Sequence, residues 1–513
     1  MITADRMAEV DRNAAALGVP RAKLMESSGN ALARVVRDHC EPGARVRMVC
    51  GRGNNAGDAF VAARFLADYD VRVDLLGRPA TIRTEIARDN WDALDATDAE
   101  TRVIRDSATL DLGGDDADLF VDAMVGTGVS GALREPAATA ARALAAADAP
   151  VVAVDVPSGV DADTGTTTAD GADSEGVVRD DQDAVATGDL AAAQSAFVVA
   201  GAVVTFHDTK PGLAELAERG AFELTVADIG IPAAAERRVG PGDLRPLGRR
   251  ADSHKGDHGA VLVVGGGPYT GAPALAGRAA IRAGADLVRL AVPESVAATV
   301  EGFDESLIVR PLDGHRVDSD HLSRLRGLAA ETDTVVVGPG IGSDEATLAA
   351  VESLLAEYDG TAVVDAEALS AVPAETDARL LCTPHRGEFA AMGGDPSGDA
   401  ETRAERVAAF AREAGPETTL LVKGPTDVIS DGETTRLART GNPGMTVGGT
   451  GDVLAGVTGA LAARLPPTRA AAVAAWATGR AGDAAADRHG DGLAATDLLA
   501  TLPDALRDTE GDA

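Results

Sequence analysis

Apolar residues recur at helical spacing from Thr3 to about His39, interrupted only at Gly18-Val19-Pro20, and this predicts two amphipathic helices. The pattern then shifts to short blocks rich in Val, Leu and Ala, each closed by Gly, Asp, Asn, Ser or Thr. In the first half the blocks are residues 45–50, 71–76, 119–122, 151–155, 195–206 and 222–229; in the second they are 260–264, 287–291, 335–337, 362–364, 380–382 and 420–422. Short, continuously apolar blocks alternating with helical stretches such as 59–66 and 274–283 are what strands buried on both faces of a parallel sheet require. The chain therefore reads as α/β, with two doubly wound α/β domains over residues 1–230 and 246–513 and a linker, 231–245, between them. Residues 166–189 follow neither period and read as a mobile acidic surface insertion.

Composition narrows the function classes. A formal charge of −34 with pI near 4.5 argues against nucleic acid or an anionic membrane as partner. Only Lys23, Lys210, Lys255 and Lys423 are lysine, so arginine carries nearly all positive charge. An acidic, lysine-poor, alanine-rich chain fits a halophilic, salt-rich cytoplasm, where the Debye length falls to roughly 3 Å at 1 M and self-repulsion is screened. Cys40, Cys50 and Cys382 show no metal-ligand spacing and are too few for a disulfide framework, which fits a reducing cytoplasm. The first residues are charged where a signal peptide is apolar, and no apolar run reaches the ~20 residues of a membrane helix.

Candidate chemistry gathers in the glycine-rich segments. Between Gly441 and Gly456 stand six glycines and Asp452, followed by an apolar run that begins a buried helix. A glycine loop feeding a helix offers unpaired N–H groups at the positive end of the helix dipole, an anion site, and Asp452 at that mouth is placed to take a proton from a hydroxyl attacking phosphorus. In the first half, strand 45–50 runs into GRGNNAGD (51–58) and a helix, the order that lays a pyrophosphate on a helix N-terminus. Strands ending at Asp122 and Asp155 bring further polar loops to the same edge, so that Asn55, Asp122, Asp155 and Ser158 converge there.

GRGNNAGD, DAMVGTGVSGALR, AVDVPSGVDADTG and AVVTFHDTKPG, in this order, resemble the Rossmann-like epimerase domain of the bifunctional NAD(P)H-hydrate repair enzymes. SHKGDHG, YTGAP, GPGIG, VVDAEAL, TPHRGEF, LLVKGPTDVI, GNPGMTVGGTGDVLAG and GLAATDLL resemble the ribokinase-like dehydratase domain of the same family. For the first half the resemblance implies that Asn54, Asn55, Ala56, Gly57 and Asp58, with Gly126, Thr127, Gly128, Val129, Ser130, Gly131 and Ala132, bind the hydrated cofactor. It further implies Asp155 as acid/base and Asn55, Asp122 and Ser158 as ligands of a potassium ion. Ala56 and Ala59 depart from the family pattern, which has glycine at both places. For the second half it implies a hydrate pocket of Ala272, Gly342, His385 and Asp452, and a nucleotide site of Lys423, Gly424, Pro425, Thr426, Asp427 and Gly451. Asp452 is then the catalytic base, ADP the co-substrate and Mg²⁺ the ion on its phosphates.

The expected activity is interconversion of R- and S-NADHX and NADPHX, and ADP-dependent dehydration of the S form, in a cytoplasmic enzyme that forms a homo-oligomer. The alternative is a ribokinase-like small-molecule kinase whose N-terminal half binds nucleotide without catalysis. Lys210, Lys255 and Lys423 all fall inside these motifs, which implies sites that need a compact ammonium and are too narrow for guanidinium.

Overall fold

Strands that are apolar on both faces need a helix layer on each, and the chain satisfies this twice. In the computed structural model, which describes residues 1–112, 117–128, 132–167, 196–249 and 252–507, the chain divides into two compact units, Met1–Ala233 and Ala234–Ala513.

The first unit carries β1 (Arg45–Cys50), β2 (Asp70–Leu76), β3 (Glu100–Ile104), β4 (Leu119–Ala123), β5 (Val151–Val154), β6 (Ala202–Phe206) and β7 (Glu223–Ala227). Their order is β3-β2-β1-β4-β5-β6-β7 and every pairing is parallel. Strand order therefore reverses between β1 and β4, and the crevice beyond the carboxyl ends of these two strands is where open α/β sheets hold ligands.

The second unit carries β8 (Ala260–Val264), β9 (Leu287–Pro293), β10 (Ile308–Leu312), β11 (Thr334–Val337), β12 (Thr361–Val364), β13 (Arg379–Cys382), β14 (Thr418–Val422), β15 (Asp427–Ser430) and β16 (Thr435–Ala438). The order is β10-β9-β8-β11-β12-β13-β14-β15-β16, parallel as far as β14 and closed by an antiparallel hairpin. Its switch point lies between β8 and β11. Two apolar cores, one on each sheet face, are built mostly of Ala, Val and Leu.

Several elements differ from the sequence reading. The apolar stretch 195–206 is strand only from Ala202, because β5 is four residues long and its ladder with β6 starts at Val152↔Ala202; Ala196, Val198 and Ala200 are apolar because they are buried. The helix after β1 begins at Asn54, so half of the presumed glycine loop is its first turns. Edge strands β3 and β10 went unpredicted: ETRVI is mostly exposed and polar, and IVRPL holds a proline that only an edge tolerates. Of the acidic segment 166–189, residues 168–189 lie outside the described residues. Much of the stretch read as a linker is packed into the second unit: Val239 N–H bonds Leu437 O at 2.9 Å, and buried Asp243 takes the Arg436 guanidinium at 2.9 Å.

Candidate active sites

In the second unit the site grows from strand ends. Asp365, directly after β12, is buried, and its Oδ1 accepts both the Lys423 ammonium at 2.8 Å and the Thr383 hydroxyl at 2.7 Å. Lys423 follows β14 and Thr383 follows β13, so three adjacent strands supply one cluster. Burial works against the ammonium, yet the Asp365 carboxylate beside it raises its pKa above the ordinary lysine value, with Glu388 adding at 3.9 Å.

Gly449 stands at φ +94°, a left-handed conformation that suits glycine, and starts the helix Thr450–Ala462. The first turn of a helix leaves its N–H groups without intrahelical partners, here those of Thr450, Gly451 and Asp452. A side chain at Gly451 would come within 3.6 Å of the Lys423 ammonium nitrogen, so amides and ammonium face the same space. Close packing fixes the helix there, since a Cβ at Gly456 would lie 2.0 Å from Ala276 O. Asp452 is half-buried, and its carboxyl is pushed up to about 7, first by burial, then by the charges of Asp365 and, less, Glu367, against Lys423.

The other residues implied for this half fall around the same edge. Ala272 packs under Gly340, and Gly342 against Pro268; both glycines have positive φ. His385 caps the helix Arg386–Ala391, its Nδ1 accepting Glu388 N–H at 3.0 Å, and its side chain is 60 % exposed. It pairs with Lys423 in an isolated parallel bridge. Gly424 and Pro425 are exposed, whereas Asp427 turns into its own loop to accept Gly424 N–H at 2.8 Å. Burial pushes the Asp427 carboxyl up to about 7. Asp427 thus shapes the turn that presents Gly424 to Thr426.

A cavity of about 1260 Å³ opens beside this cluster and shares Ala366, Glu367 and Glu388 with it, but Asp452, Lys423 and His385 do not line it. Its lining carries carboxylates such as Glu375, Glu413 and Glu417 and no basic side chain, so it does not suit a nucleotide phosphate. The amide and ammonium side of Asp452 does.

In the first unit Asn55 is buried, and neither its side-chain oxygen nor its nitrogen has a hydrogen-bond partner among the described residues. A Cβ at Gly126 would lie 3.3 Å from the Asn55 amide carbon, so the ends of β1 and β4 meet at the switch point. Asp122 accepts the Ser158 hydroxyl and backbone N–H, both at 2.7 Å, and burial raises its carboxyl to about 6. Asp155 has φ +63° and pairs with buried Lys210 at 2.9 Å. Asn54 is exposed and accepts the Thr84 hydroxyl at 2.6 Å.

Three implied positions do not face the crevice as expected. Asp58 receives the Ser28 hydroxyl in the interface between two helices, where burial pushes its carboxyl well above the usual range. A side chain at Gly57 would strike Met25, and Ala56 is fully buried. These residues set helix packing, a consequence of the helix starting at Asn54. The helical backbone at Ala56 and Ala59 asks for no positive φ, so alanine meets no conformational penalty there. Val129, Ser130 and Gly131 lie outside the described residues; Thr127, Gly128 and Ala132 are partly or fully exposed. Lys255 is exposed ahead of β8, whereas Lys210 and Lys423 each pair with an aspartate at a strand end. Asp365, Thr383 and Thr205 were missed; the one available signal was that each stands at a strand end inside a motif.

Comparison with known proteins now decides the family. Residues 260–504 match the family model described as NAD(P)H-hydrate dehydratase, and residues 21–212 match the one described as YjeF-related protein N-terminus. The bifunctional NAD(P)H-hydrate repair enzyme Nnr of Pyrobaculum aerophilum is 42 % identical, covering 99 % of this chain and 98 % of its own. The chain belongs to this family of bifunctional NAD(P)H-hydrate repair enzymes. The namesake from Methanothermobacter thermautotrophicus is 39 % identical over 98 % of this chain and 94 % of its own. An ADP/ATP-dependent NAD(P)H-hydrate dehydratase from Bacillus subtilis, co-crystallised with ATP/Mg²⁺, is 26 % identical with a TM-score of 0.46, covering 52 % of this chain and 97 % of that one. Among the described residues no helix is long and apolar enough to cross a membrane.

Proposed function

We propose that the second unit dehydrates S-NADHX and S-NADPHX with ADP as phosphoryl donor, and that the first unit interconverts the R and S hydrates. The observation that carries the dehydratase reading is a carboxyl pushed up to about 7 at the mouth of a helix whose free amides face a lysine. A base with that pKa is matched to removing a hydroxyl proton near neutrality. In the proposed reaction Asp452 takes the proton from the ring hydroxyl as its oxygen attacks the β-phosphorus of ADP, and AMP leaves. The amides of Gly449 to Gly451 and Lys423 balance charge on the moving phosphoryl group. The new phosphate ester then departs as phosphate, driven by the ring nitrogen's electron pair, and loss of a ring proton restores NAD(P)H. Ala272, Gly342 and His385 line the hydrate side, and Lys423, Gly424, Pro425, Thr426 and Asp427 the nucleotide side. In this reading the nucleotide phosphates supply most Mg²⁺ ligands.

In the first unit the unpartnered oxygen of Asn55, with the carboxylate of Asp122 and the hydroxyl of Ser158, suits potassium: hard oxygens with a single negative charge. Bound there, the ion would add positive charge to a crevice that receives an anionic dinucleotide. Asp155 takes and returns the proton of the ring hydroxyl as the carbinolamine opens and recloses on its other face. The small-molecule kinase alternative is not favoured, since the family model for this half is described as NAD(P)H-hydrate dehydratase. We further propose a cytoplasmic, salt-adapted homo-oligomer. The deciding assay supplies each pure hydrate epimer with ADP in high KCl. Release of AMP, phosphate and NAD(P)H from the S form, and slower release from the R form, is the expected result; a stable phosphorylated product would refute the dehydratase reading.

A further inference from the structure

Lys210 is 1 % exposed; its ammonium group donates to Thr205 Oγ1 at 2.7 Å and Phe206 O at 3.1 Å and forms an ion pair with Asp155 Oδ1 at 2.9 Å. The Thr205 hydroxyl, which accepts from Lys210, donates in turn to the same Asp155 Oδ1 at 3.1 Å. Oδ1 therefore meets both the Thr205 hydroxyl and the Lys210 charge, while Asp155 Oδ2 has no hydrogen-bond partner among the described residues, on a side chain that is 17 % exposed. The backbone is held as tightly: Asp155 sits at φ +63°, and its N–H bonds Val204 O at 2.7 Å. Left-handed backbone at a non-glycine residue costs free energy and persists only where the surroundings enforce it.

We infer that Lys210 is the positioning residue of the epimerase half: with Thr205 it pins Asp155 Oδ1, so that Oδ2 alone exchanges the proton of the hydrated ring. The inference rests on the assignment of Asp155 as acid/base. Three acceptors arranged around one point suit a compact ammonium and not the planar fork of arginine, which explains a lysine in a chain that uses arginine almost everywhere else. A buried ion pair is weak as a device for stability, because the desolvation of both charges offsets their attraction. Its placement at a strand end beside an open loop is better explained by what the carboxylate does. Asp11 also faces Asp155, Lys210 and His207; its carboxyl is pushed up, chiefly by burial. The ammonium is thus one counter-charge, with the Arg21 guanidinium, among several carboxyls.

The test uses the full chain in high KCl with pure R hydrate and no ADP, the epimers being separated chromatographically. Lys210→Met should lower kcat for epimerisation roughly a hundredfold while KM stays within about threefold. Thr205→Val, which keeps the ammonium, should lower kcat about tenfold. Combined with Asp155→Asn, Lys210→Met should cause no further loss, because a positioning residue has nothing left to position. Should Lys210→Met fail to fold, judged by the near-ultraviolet signal of Trp91 on Phe60, the Thr205→Val result and its own combination with Asp155→Asn stand in its place. An inactive Asp155→Asn beside a Lys210→Met variant with wild-type kcat, or losses that multiply in the double variant, overturns the inference. Full activity in Asp155→Asn instead defeats the underlying acid/base assignment.

Discussion

Both units hold the same trio at the carboxyl ends of their strands: a lysine, an aspartate and a threonine, Lys210 with Asp155 and Thr205 in the first, Lys423 with Asp365 and Thr383 in the second. The trios differ in which carboxylate they hold. In the first unit the lysine is bound to the carboxylate proposed to do the chemistry. In the second it is bound to a neighbour, and the proposed base, Asp452, comes from a helix N-terminus with its carboxyl pushed up to about 7. The contrast follows from the two reactions. An epimerase must give its proton back to the same molecule, which a pinned and oriented carboxylate serves. A phosphoryl transfer needs a base strong enough to take a proton once, which burial and two like-charged neighbours provide, and in the proposed site the lysine meets the phosphate instead.

The most severe way to break this comparison is Asp452→Asn. Dehydration should fall by about 10²–10⁴ with nucleotide binding retained and epimerisation untouched, measured by NAD(P)H formation and by calorimetric ADP titration. Next is Asn55→Leu, which should abolish the response of epimerisation to K⁺, a loss on the order of tenfold to a hundredfold, and leave dehydration unchanged. Equal K⁺ curves for variant and wild type would remove Asn55 from the cation site.

Asp365→Asn sharpens the contrast more gently. The Asp452 carboxyl is raised partly by Asp365, so dehydration in the wild type should fall as pH drops through about 7, when the base becomes protonated. Removing the Asp365 charge should move that limb to lower pH, by at most about one unit, and raise KM for ADP as Lys423 loses its anchor. A limb that moves upward contradicts this arrangement. The smallest difference between the halves is expected from salt: a chain of charge −34 should lose helical circular dichroism as KCl is lowered from about 1 M, where the Debye length is roughly 3 Å, to about 0.1 M, where it is roughly 10 Å. A melting temperature independent of KCl would argue against salt adaptation.

Much of the site was legible because strand ends and glycine turns have strong local signatures. GNPGMTVGGTGDVLAG announces both the left-handed turn at Gly449 and the buried run from Val453, and Asp452 is where that pattern puts it. Of the three lysines inside motifs, Lys210 and Lys423 each pair with an aspartate at a strand end. The lysine count misled at Lys255, because scarcity says nothing about burial. The resemblance implies Asp58 and Gly57 as cofactor contacts, but the helix begins three residues after Gly51 and turns them toward Met25 and Ser28.

The amino-acid sequence by itself determined two doubly wound α/β units, the glycine turns at their strand ends and the family, because each of these is written in periodicity or in contiguous residues. Only the tertiary structure decided the partners of the charges. Thr205 and Lys210 lie five residues apart but Asp155 lies fifty away, and Asp365 reaches Lys423 across fifty-eight residues. Such pairings form where neighbouring parallel strands end side by side, and strand order in space is not written in any local stretch of chain.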